Sequence, residues 1–96
     1  MEPLLTVILN IRLELPSVFS LKEKRRILKS LITRLRNNFN ISISEVDNND
    51  VLRTATLGVA IVTNESSFGD KVIAKVVNKI EANPDLIVLE YHTERY

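Results

Sequence analysis

The spacing of apolar residues switches between two periods along this chain, and the order of the switches leaves few folds open. Leu5, Val7, Leu9, Ile11 and Leu13 alternate with Thr6, Asn10, Arg12 and Glu14. That period of two predicts a strand with one buried face, and Pro16 and Ser17 end it. Ser20, followed by Glu23 three positions on, is a capping-box signature, in which hydroxyl and carboxylate satisfy N–H groups at a helix start. Leu21, Leu28, Leu31, Ile32 and Leu35 then fall on one side at helical spacing, and Asn37-Asn38 closes the helix. Phe39 to Val46 predicts a second strand, with Ile41 and Ile43 facing inward. Asp47-Asn48-Asn49-Asp50 is a turn, because Asn and Asp bond their own backbone and tolerate left-handed conformations. Thr54 to Val62 is the third strand, its Ala55, Leu57, Val59 and Ile61 facing the core. Asn64 to Ser67 offers caps for a second helix striped by Phe68, Val72, Ile73, Val76, Val77 and Ile80. Asn83-Pro84 stops that helix, and Leu86 to about Tyr91 is the last strand.

The order is therefore β-α-β-β-α-β, two βαβ halves divided near Asp47–Asp50. It predicts an α+β, ferredoxin-like βαββαβ sandwich: a four-stranded antiparallel sheet with both helices on one face. The first and third strands should be central and the other two should be edges. At 96 residues, residues 1–96 have room for a single domain.

Several function classes drop out. Cysteine is absent, so no disulfide framework, thiol nucleophile or zinc-thiolate site is available, and a reducing compartment is expected. The longest apolar run, Leu57 to Val62, is far short of the ~20 residues that span a bilayer. Met1-Glu2-Pro3 puts no basic segment ahead of the first apolar stretch, unlike a secretory signal. The expected location is the cytoplasm, without membrane attachment.

Catalytic candidates are few. His92 is the only histidine and has no carboxylate pair at metal spacing beside it. Glu45, Asp47 and Asp50 bracket the turn, but Val51 and Leu52 stand where a calcium loop needs an oxygen donor and then a glycine. Gly58 and Gly69 are too far apart to make a phosphate cradle. A non-enzymatic protein without cofactor, metal or identifiable small-molecule substrate is the expectation.

Charge is more informative. The formal net charge is only +1, yet seven basic residues and one acid lie between Lys22 and Arg36, leaving +6 there and −5 elsewhere. At roughly 100° per residue, Lys22, Arg25, Arg26, Lys29 and Arg36 project to one flank of the first helix, with Lys24 and Arg34 off that flank. Only Glu23 can pair with them at i,i+3 or i,i+4. Lys22, Lys24 and Arg25 also crowd the first turn, where the helix dipole disfavours positive charge by some tenths of a kcal/mol each. Such a stripe suits a phosphate backbone; a solvated helix face is the competing reading. The open-face positions of the central strands, Thr6, Ile8, Asn10 and Arg12 with Thr54, Thr56, Gly58 and Ala60, include no aromatic. Base stacking on the sheet, as in RNA-recognition motifs, is therefore excluded.

Ser20-Leu21-Lys22-Glu23-Lys24-Arg25-Arg26, Lys29-Ser30-Leu31, Arg34-Leu35-Arg36, Phe39 to Asp47, Asp50 and Ala55 to Ala60 together resemble the YlxP-like family of small bacterial proteins. The resemblance covers most of residues 5 to 63. It implies a ferredoxin-like domain of unknown function, with a suspected part in ribosome assembly or translation because the genes often neighbour those of transcription and translation factors. This chain has Leu52-Arg53 where family members commonly carry Trp-Gln.

Two functions compete. One is an RNA- or ribosome-associated protein that contacts phosphates through the basic helix. The other is a protein-interaction or oligomerisation module whose helix meets an acidic partner. Leu86 to Leu89, four consecutive apolar residues on an edge strand, further predict a symmetric homodimer through that strand or the open face beside it. The competing possibility is a carboxyl-terminal tail folded over the edge.

Overall fold

A computed structural model describes residues 4–96 of the chain. Its elements run β1 (Leu5–Glu14), α1 (Leu21–Asn38), β2 (Ser42–Asp47), β3 (Thr54–Thr63), α2 (Ser66–Glu81) and β4 (Ile87–Arg95). The strands form one antiparallel sheet in the order β2-β3-β1-β4. This is the ferredoxin-like arrangement that the periodicity predicts, with β1 and β3 at the centre.

The alternation translates directly into the core. Val7, Leu9, Ile11 and Leu13 of β1 lie opposite Ile61, Val59, Leu57 and Ala55 of β3, and all eight are buried. Leu28, Leu31 and Leu35 of α1 and Ile73, Val76, Val77 and Ile80 of α2 close over them. Close approach of α2 to the sheet depends on Gly69, where a Cβ would come within 2.8 Å of Val7 Cγ2. Phe68 consequently points outward and is exposed rather than joining the helix stripe.

Three boundaries differ from expectation. Phe39 to Ile41 is not strand, because Phe39 caps α1 through its N–H to the Leu35 carbonyl at 2.9 Å. The helix α2 starts at Ser66, with no side-chain cap. Strand β4 continues past Tyr91 to Arg95, although both its faces turn polar there, because β1 supplies backbone partners as far as Val7. Tyr96 extends this pairing through reciprocal bonds with Thr6, both 2.9 Å. The carboxyl-terminal residues thus lengthen the edge strand and do not cover it. Among the described residues, no helix is long and apolar enough to cross a membrane.

Candidate nucleic-acid interface

The helix α1 begins as its sequence directs, with Ser20 Oγ accepting from Glu23 N–H at 3.1 Å. Among the described residues only this half of the capping box forms. Glu23 lines a shallow cleft beside Ser17, Val18 and Arg26 instead.

Lys22, Arg25, Arg26, Lys29 and Arg36 are all exposed. The first four share a shallow groove with Ser20 and Glu23. Arg25, Lys29 and Arg36 also rim a second groove with Thr33 and Ser44, where α1 faces β2. From Lys22 to Arg36 the ridge runs about 21 Å at the helical rise. That is the length of about six stacked nucleotides at ~3.4 Å each.

Neutralisation within the ridge is slight. Arg25 Nη2 lies 3.8 Å from Asp50 Oδ1, with both side chains well exposed, and such a pair contributes at most about 1 kcal/mol. Arg36 is partly committed, since its Nη2 donates to the Ile43 carbonyl of β2 at 2.9 Å. Among the described residues, Lys22, Arg26 and Lys29 have no acidic partner within salt-bridge distance.

Lys24 behaves quite differently from its basic neighbours. Its side chain is 0% exposed, and Nζ donates to the carbonyls of Asn48 and Val51 at 2.6 Å each. Glu45 Oε2, itself buried and without a directed hydrogen bond, lies 3.1 Å from the same ammonium. The cation therefore ties α1 to the β2–β3 turn. Asn48 holds the turn's left-handed position at φ 64°, a conformation Asn tolerates better than most residues. Its side-chain oxygen accepts from Thr56 Oγ1 at 2.7 Å, and Asp47 Oδ1 accepts its N–H at 2.8 Å. Glu45, Asp47 and Asp50, the acids that bracket the turn, thus each face a cation or a backbone donor.

Two more residues join the ridge's amino-terminal end. The Arg53 carbonyl accepts from Leu15 N–H at 2.9 Å, which pins the start of β3 beside the β1–α1 loop. The Arg53 guanidinium sits over the Phe19 ring, 5.6 Å from its centroid. Arg53 and Phe19 thus stand next to Ser20, the cap from which the ridge starts. The sequence signals were faint: an arginine outside the basic helix, and an aromatic immediately before its cap.

The pattern of the family described as "Protein of unknown function (DUF503)" matches residues 6–93. The uncharacterized protein YlxP of Bacillus subtilis (strain 168) is 37% identical over 67 residues, covering 70% of this chain and 73% of that one. Among solved structures, 30S ribosomal protein S6 from Thermotoga maritima superposes with a TM-score of 0.53 at 7% identity. That alignment covers 94% of this chain and 86% of the other. The de novo designed protein Foldit4 gives a TM-score of 0.49 at 11% identity, covering 98% and 97%. The likeness to the ribosomal protein concerns the fold alone. The family pattern spans nearly the whole described chain, basic helix and turn included, and the chain belongs to the DUF503 family.

Proposed function

We propose that this protein is a non-enzymatic RNA-binding protein that contacts the phosphate backbone through Lys22, Arg25, Arg26, Lys29 and Arg36, in ribosome assembly or translation. The observation that carries this reading is the unbalanced ridge: Lys22, Arg26 and Lys29 stand exposed on one helix without acidic partners among the described residues. Cations left unpaired at the start of a helix go against its dipole, and local rules tend to be broken where function requires it. Phosphates would supply the missing counter-charge. The proposed setting is the bacterial cytoplasm, supported by the absence of cysteine and by the bacterial relative.

Fluorescence anisotropy of a labelled single-stranded RNA, measured across a salt series, tests the reading. Three to five phosphate contacts predict a log–log slope between about −2 and −3.5. Recognition through backbone charge makes discrimination between sequences slight. Binding to an acidic protein, with none to RNA, would identify an interaction module instead.

We also propose a homodimer through β4. Ile87, Leu89 and Tyr91 are exposed along this outermost strand, and neither Lys nor Pro interrupts Leu86 to Leu89. Antiparallel self-pairing about Tyr91 would set Glu90 of one copy against His92 of the other, twice.

A further inference from the structure

Phe19 is 80% exposed, and its place in the chain makes that unusual. An apolar residue just before a helix cap ordinarily packs on the fourth helical residue, forming a hydrophobic staple. Here the cap is Ser20 and the fourth helical residue is Lys24, a cation fully occupied with the β2–β3 turn. The ring has no staple partner and stays in solvent.

The Arg53 guanidinium lies over the ring, 5.6 Å from its centroid. A cation over one face of a phenyl ring is held by the ring quadrupole. With the ring this exposed, the other face is open to solvent. The groove that holds Lys22, Arg25, Arg26 and Lys29 begins at the very next residue, Ser20. A stacking surface thus adjoins a run of phosphate-binding cations, the combination by which single strands are bound: charge tracks the backbone while an aromatic face takes a base.

We propose that Phe19, backed by Arg53, is a stacking platform for one unpaired base of a single-stranded RNA whose phosphates follow the α1 ridge. This rests on the ridge being the phosphate-binding surface, and it adds a preference that charge alone does not give. A duplex keeps its bases stacked inward and can use the ridge but not the platform. Every base has a π face, so the platform selects for strandedness and not for sequence.

The chain has no tryptophan, so Phe19→Trp introduces a single indole at the platform, excited at wavelengths that the two tyrosines do not absorb. Titration of this variant with a short unstructured RNA should quench its emission. A duplex of the same length, at a salt concentration where it binds equally, should leave the emission nearly unchanged. In parallel, Phe19→Ala should bind the single strand about 5- to 100-fold more weakly, with an unchanged salt slope and unchanged duplex affinity. The melting temperature should stay level, because the ring lies outside the core. Emission unmoved by bound single strand, or Phe19→Ala binding both RNAs like the parent, would overturn the platform and leave the ridge standing. Failure of the parent protein to bind either RNA would overturn both.

Discussion

Lys24 shows how far a single side chain can differ from its neighbours in sequence. Lys22, Arg25 and Arg26 are exposed, whereas Lys24 is enclosed with two carbonyls and a carboxylate around its ammonium. Removing one partner of a buried ion pair typically costs about 3–5 kcal/mol, a large share of the total stability of a domain this size. Lys24→Met should lower the urea unfolding free energy by about that amount. Combining it with Glu45→Met should recover part of the loss but not all, since the Asn48 and Val51 carbonyls still lack their donor. A Lys24→Met penalty below about 1 kcal/mol would mean that the pair contributes little beyond an exposed one. The position was partly legible: Lys24, Leu28, Leu31 and Leu35 share helical spacing, so Lys24 completes the apolar stripe. Its charge masked that spacing, and nothing local points to Glu45, 21 residues away on β2. Phe19 and Arg53 were hidden for the same reason, since their stack depends on two loops that only the tertiary fold brings together.

Among the elements, β1, β3 and α1 were the most legible because one buried face imposes a clean period on each. Leu31→Ala in α1 should cost roughly 2–4 kcal/mol by urea unfolding; a near-neutral result would contradict its place in the core. The reach of β4 was harder to see, because a strand held mainly by its neighbour's backbone need not carry an alternating pattern. The two edges of the sheet are managed differently. Along β2, Arg36 covers the outward Ile43 carbonyl. Along β4, the register shift beside Leu89 is the main interruption, and exposed Ile87, Leu89 and Tyr91 remain. Sedimentation equilibrium at micromolar concentration should return twice the chain mass, and Leu89→Lys, a charge of the kind that guards natural edges, should return the monomer. A parent protein that sediments as a monomer would end the dimer proposal.

At the scale of the molecule, the basic stripe was readable from charge counting and helical angle, while its degree of internal neutralisation was not. Lys24 is buried off the basic flank, Arg36 is partly drawn to β2, and Arg53 reaches Phe19 from the β2–β3 loop. The result is a domain with near-zero net charge and a row of exposed cations along one helix, a distribution that would steer a polyanion to one surface. The most direct test compares single-stranded RNA binding by the parent and by the combined Arg25→Glu, Arg26→Glu and Lys29→Glu variant over a salt series. The parent should bind with a steep negative slope. The variant should not bind, while its melting temperature stays level or rises slightly as the helix dipole meets negative charge. Equal RNA affinity in both proteins, or a parent affinity indifferent to salt, would contradict the ridge as the phosphate-binding surface.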